Sequence, residues 1–112
     1  MYKRELLKGN TETLLLSLLS EDPKYGYLLV KEIESRSGGY FQVKDGTIYP
    51  ALHRMEKGEL VESSWDSSNG QNRRVYSITP KGRYFLQTMI EEWGKFCRAL
   101  SLIMESQKVK LD

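Results

Sequence analysis

The stretch DGTIYPALHRMEKGELVES, residues 45–63, starts on a helical period, ends on an alternating one, and carries a proline near its beginning. Only the first few N–H groups of a helix lack partners within it. Proline therefore costs little there and about 3 kcal/mol farther in. That rule predicts a helix from about Ile48 to Lys57, with Thr47 as N-cap, Pro50 as third helical residue and Gly58 as the end. Asp45 and Gly46 then form the turn before it. At about 100° per residue, Ile48, Ala51, Leu52 and Met55 share one face. The opposite face carries Pro50, His53 and Lys57, flanked by Tyr49 and Arg54, with Glu56 on the lateral edge. That face is cationic and aromatic.

Toward the N-terminus, TETLLLSLLS (11–20) is apolar almost all round and reads as a buried helix, capped at Asn10 or Thr11 and closed by Pro23. YGYLLVKEIESRSGG (25–39) puts Tyr25, Leu28, Leu29 and Ile33 at helical spacing, and Gly38-Gly39 supplies the left-handed exit of a helix C-terminus. A short extended piece, YFQV, leads into the opening stretch. Three short helices, the third with a basic exposed face, make a helix-turn-helix.

Toward the C-terminus the period becomes two. LVESSWD and RRVYSIT flank SSNGQN, and Asn-Gly between such runs is a strong hairpin signal. Centring the turn on Asn69-Gly70 pairs Val61 with Ile78, Ser63 with Tyr76, Trp65 with Arg74 and Asp66 with Arg73. A hairpin there, basic near its tip, is a wing.

From Pro80 onward one long helix is predicted, with Thr79 as its cap. Leu86, Met89, Trp93, Phe96, Leu100 and Ile103 recur at spacings of three and four, beside a second row of Phe85, Ile90, Cys97 and Met104. Residues 80–111 would make a rod of roughly 48 Å, whereas a 100-residue domain has a radius of gyration of about 13 Å. The rod should overhang its core, and its apolar stripe needs a partner. A second copy of the chain is the simplest one.

Composition narrows the function classes. The 112 residues carry a net charge of +2, 39% apolar and 29% charged side chains, enough for one domain with a modest core. Cys97 is the only cysteine and His53 the only histidine, so neither an internal disulfide nor a metal site has material, and no cofactor is expected. No apolar run reaches about 18 residues, so no membrane span is expected. The N-terminal segment carries Glu5 and Glu12 and lacks a small-residue cleavage site, unlike a signal peptide. A reduced, cytoplasmic protein is expected. No convergent acid–base or nucleophile set is present, so an enzyme is not expected.

GNTETLLLSLL, YGYLLVKEIESRSGG, DGTIYPALHRMEKGELVESSW, NRRVYSITPKGR and EEWGKF, in this order and spacing, resemble the PadR-like transcriptional regulators over nearly the whole chain. The likeness is to the short form with a single C-terminal helix. The expected fold is mainly α with a small β-hairpin: a winged helix-turn-helix over residues 1–79 and a long dimerisation helix over 80–112. The resemblance implies a homodimeric repressor on a palindromic duplex, in some relatives with a planar aromatic effector between paired tryptophans. Residues suited to DNA are Tyr25, Lys44, Thr47, Tyr49, Pro50, His53, Arg54, Lys57, Asn72, Arg73, Arg74 and Tyr76. The expected dimer interface is Leu86, Met89, Trp93, Phe96, Leu100 and Ile103, with Met89, Trp93 and Phe96 lining the effector site. The competing readings are a winged-helix protein–protein adaptor and a drug-binding protein with incidental DNA affinity.

Overall fold

Among the described residues, four helices and three strands follow one another as α1 (Thr11–Leu19), β1 (Lys24–Tyr25), α2 (Gly26–Arg36), α3 (Asp45–Lys57), β2 (Val61–Asp66), β3 (Arg73–Ile78) and α4 (Pro80–Met104). The structure, a computed structural model, describes residues 9–68 and 70–105. The all-round apolarity of α1 has a packing cause. It touches α2, α3, β3 and α4, and Leu15, Leu16, Leu18 and Leu19 are all buried. Leu29 and Ile33 of α2, the predicted α3 face of Ile48, Ala51, Leu52 and Met55, and Val61 of β2 complete the centre.

Helix α2 ends as its Gly-Gly pair predicts. The Gly39 N–H donates to the Glu34 carbonyl at 2.8 Å and the Gly38 N–H to the Ser35 carbonyl at 3.1 Å, with Gly38 at φ 66°. Helix α3 departs from expectation at its start. Lys44, not Thr47, is the N-cap, and its carbonyl accepts from the Ile48 N–H at 3.1 Å. Pro50 therefore lies inside the helix, where it cannot donate to the carbonyl of Gly46 four residues back. Gly46 is exposed and has nothing within 4 Å of where a Cβ would stand, so water can take that carbonyl. The proline is thus tolerated three positions deeper than the end-of-helix rule allows.

The far end of α3 repeats the α2 closure, with one change. The Leu60 N–H donates to the Met55 carbonyl at 2.9 Å and the Glu59 N–H to the Glu56 carbonyl at 3.0 Å. Here Glu59 takes the left-handed conformation, at φ 63°, while Gly58 keeps a negative φ.

The predicted wing register is observed, including Ser63 opposite Tyr76, Trp65 opposite Arg74 and Asp66 opposite Arg73. Asn69, the predicted turn centre, lies outside the described residues; Gly70 beside it is left-handed. The sheet has a third, unpredicted strand. Lys24 pairs with Tyr76 and Tyr25 with Val75, giving the antiparallel order β1-β3-β2. Two residues are too few to show an alternating period.

Thr79 caps α4 and ties it to the α3–β2 corner. Its Oγ1 accepts from the Gly82 N–H at 2.9 Å, and its own N–H donates to the Leu60 carbonyl at 3.1 Å. Gly82 is required by that approach, since a Cβ there would stand 2.1 Å from the Leu60 carbonyl oxygen. Leu86, expected in the dimer interface, is instead part of the chain's own core at 7% exposure, because the first turns of α4 pack on α1. Beyond it the helix leaves the core, and the molecule extends 57 Å in its longest direction. The predicted continuation over 106–111 lies outside the described residues.

Candidate nucleic-acid interface

The surface of α3 turned from the core presents Lys44, Thr47, Tyr49, Pro50, His53, Arg54 and Lys57, all exposed. Ile48, Ala51, Leu52 and Met55 fix its azimuth by filling the core. The Tyr49 ring crosses the start of α2, where a Cβ on Gly26 would stand 2.9 Å from Tyr49 Cε1. Burial raises the pKa of the Tyr49 phenol, so the hydroxyl stays protonated and able to donate at neutral pH. Arg54 sits toward the α1 side of this face, with Nε 3.7 Å from Glu12 Oε2.

Each wing arginine is held by the helix-turn-helix. Arg73 Nη1 donates to the Tyr27 hydroxyl at 2.9 Å and Nη2 to Gln71 Oε1 at 2.8 Å. Its guanidinium carbon lies 5.0 Å from the Tyr27 ring centre and 5.8 Å from that of Tyr25. Those rings stack on each other at 5.7 Å, and Lys31 Nζ lies 5.7 Å from the Tyr27 centre. Arg74, on the other side of β3, donates from Nε to Ser63 Oγ at 3.0 Å and lies over Trp65 at 5.0 Å. Arg73, Arg74, Tyr27, Tyr49 and Gly26 together line an open depression of about 250 Å³ between the wing and the helices.

Two of the expected contact residues have other employment. The Tyr25 hydroxyl, expected to face a phosphate, donates to Asp66 Oδ2 at 2.5 Å. That bond raises the Tyr25 pKa and lowers that of Asp66. Tyr76 is 7% exposed and packs in the core below Tyr49 and Gly26. In a three-stranded sheet, β3 is the central strand, so its inward side chains are covered. Asn72 is exposed beside the arginines.

Tyr27, Ser63, Asp66 and Glu56 were not singled out from the sequence as part of this site. Only the Tyr25-x-Tyr27 spacing offered a sign, and β1, which positions it, was not visible. Among the described residues no group of His, Cys, Asp and Glu is placed to hold a metal ion.

The second exposed surface is on α4. Trp93 and Phe96 stack with ring centres 5.2 Å apart and planes 13° from parallel, both about half exposed. Met89, one turn earlier, is partly covered.

A three-helix core, a recognition-type α3 and a β2–β3 wing define a winged-helix DNA-binding protein. The PadR-like family of transcriptional regulators matches residues 15–88, from within α1 to the third turn of α4. A transcriptional regulator of Mycobacterium tuberculosis is 36% identical over 80 residues, 71% of this chain and 72% of that one. A solved transcriptional regulator from Clostridium thermocellum superposes with a TM-score of 0.81 at 30% identity, covering 87% of this chain and 95% of its own. A PadR family regulator from Eggerthella lenta gives 0.81 at 31%, covering 90% and 87%. The chain belongs to the PadR-like family of transcriptional regulators. It is a DNA-binding regulator, not an enzyme.

Proposed function

We propose that this regulator is a cytoplasmic homodimeric repressor that holds a palindromic duplex through α3 and the wing and leaves it when a planar aromatic ligand binds between two α4 helices. The observation that carries the reading is the continuity of exposed Tyr49, Pro50, His53 and Lys57 with the arginine-lined depression. Neutralised phosphates supply most of the affinity, and base edges in the major groove supply sequence preference. An α3 helix entering the groove by its N-terminal half brings Thr47, Tyr49 and Pro50 nearest the backbone and His53 and Arg54 toward base edges. Arg73, Arg74 and Asn72 follow the flanking backbone.

On this reading residues 1–79 bind DNA and 80–112 dimerise. Support comes from Ile90, Trp93, Phe96, Leu102 and Ile103, which stay between 48 and 78% exposed in one chain. Soluble proteins seldom leave so long an apolar stripe open. A two-fold axis along it would cover Met89, Trp93, Phe96, Leu100 and Ile103 and present two α3 helices about 34 Å apart, the spacing of successive major grooves. The parallel Trp93 and Phe96 faces suit a flat ligand, which releases DNA only by binding the two states with different affinity.

Selection of bound fragments from a random duplex library tests the reading, followed by a salt titration on the recovered sequence. A palindromic consensus and steep loss of affinity with salt are expected. A shallow salt dependence without consensus would leave the adaptor reading, and ligand binding that does not compete with the operator would leave the drug-binding one.

A further inference from the structure

Arg74 of the wing is tied to the recognition helix itself through Ser63 and Glu56. Its Nε–H donates to Ser63 Oγ at 3.0 Å, and the Ser63 hydroxyl donates to Glu56 Oε2 of α3 at 2.6 Å. Arg74 Nη2 stands 3.7 Å from that same carboxylate oxygen. Trp65, opposite Arg74 in the strand pairing, covers one face of the guanidinium. The five N–H donors of an arginine form a rigid fork, so holding Nε and one face determines where the remaining donors point. Arg74 borders the depression together with Arg73, Tyr27 and Tyr49.

Two effects of Glu56 oppose each other. Its carboxylate offsets part of the Arg74 charge, which would weaken attraction to an anion. The side chains are 41% and 32% exposed, so salt screens that pairing heavily. The hydrogen-bond relay through Ser63 is short and not screened away. It removes in the fold the rotamer freedom that a loose arginine would otherwise lose on binding. Anchoring should win.

We infer that Ser63 and Glu56 are positioning residues for DNA binding: the Glu56 carboxylate, acting through the Ser63 hydroxyl, aims Arg74 at a backbone phosphate seated in the depression beside Tyr49. The inference rests on the DNA-binding reading of the wing. It gives the wing a fixed register against α3, because the phosphate contact is referenced to the helix that reads the bases.

The experiment is a salt titration of duplex DNA binding by the full chain, in Arg74→Ala, Ser63→Ala, their double variant, Glu56→Gln and Glu56→Ala, each checked for folding by circular dichroism. Arg74→Ala should flatten the slope of log affinity against log salt by about 0.9 per protomer. Ser63→Ala removes no charge, yet it should flatten the slope nearly as much and weaken binding about twofold to tenfold. It should add nothing in the Arg74→Ala background. Glu56→Gln keeps an acceptor for the Ser63 hydroxyl and should retain binding, whereas Glu56→Ala should copy Ser63→Ala. A full slope in folded Ser63→Ala and Glu56→Ala, with the Arg74→Ala slope flattened, overturns the relay and leaves the phosphate contact standing. A rise in affinity in both Glu56 variants overturns it too, since Glu56 would then act as a repelling charge. An unchanged slope in Arg74→Ala itself removes the wing contact, and the relay with it.

Discussion

Glu59 and Gly82 show how single positions carry the α3–β2–α4 corner. Glu59 sits at φ 63°, a conformation in which an L side chain crowds its own backbone at a cost of about 1–2 kcal/mol. Its side chain offers little in return, as its contact with Lys81 is 3.9 Å and largely exposed on both sides. Glu59→Gly is expected to raise stability by about 0.5–1 kcal/mol, read as a higher denaturant midpoint. Gly82→Ala is expected to do the opposite and prevent the corner from closing, since backbone, not a movable side chain, occupies the space at 2.1 Å. Its thermal melt should fall well below that of the parent. At α3, Arg54→Ala should relax preference at particular base pairs by about 1–3 kcal/mol each. Uniform weakening across sequences would make Arg54 a backbone contact.

Among the elements, the wing is held from both sides, and one hold is titratable. The Tyr25–Asp66 hydrogen bond fastens the start of α2 to the end of β2. It lowers the Asp66 pKa below 3.8, so the stabilisation is present above that pH and is lost as pH falls through the folded value. The same bond raises the Tyr25 pKa above 10.0, so the contribution is complete below that pH and is lost as pH rises through the folded value. The clamp should therefore hold across the neutral range and open at both extremes. Trp65, next to Asp66, reports on it. In a Trp93→Phe background its emission should stay flat between about pH 5 and 9 and change outside that window. Tyr25→Phe should erase the alkaline change. A response confined to neutral pH would show that the clamp does not set the emission.

For the whole molecule, the decisive fact is that α4 is longer than its core. Its first turns place Leu86 and part of Phe85 in the chain's own interior, while Trp93, Phe96, Leu102 and Ile103 stay about half exposed or more. On the dimer reading, sedimentation at micromolar concentration should give twice the chain mass, and a monomer would remove the palindrome expectation as well. Trp93→Ala should then leave DNA binding largely intact while abolishing binding of planar aromatic compounds. With Trp65→Phe introduced first, Trp93 is the sole tryptophan, and quenching of its emission by a planar cationic dye follows the site directly. Unchanged emission at high micromolar dye would leave Trp93 as interface packing alone.

Periodicity in the sequence was sufficient for the helices, the wing register and the buried face of α3. Those features depend on which side chains can share one apolar side, and a one-residue slip would turn every side chain of a strand outward. The basic face of α3 was legible for the same reason, as the complement of that apolar side, and the wing arginines as basic residues near the tip of the hairpin. Contacts between segments distant in the chain became visible only in the tertiary structure. Strand β1 forms because β3 offers it an edge, not because Lys24 and Tyr25 have a period of their own. Pro50 lies deeper in α3 than local rules suggest, at a place where Gly46, whose carbonyl it leaves without its helical partner, is exposed. Tyr76 is covered because β1 makes its strand central, and Leu86 because α1 lies beneath it. The Glu56–Ser63–Arg74 relay joins a helix to both strands of the wing, and no spacing along the chain encodes the distance between them.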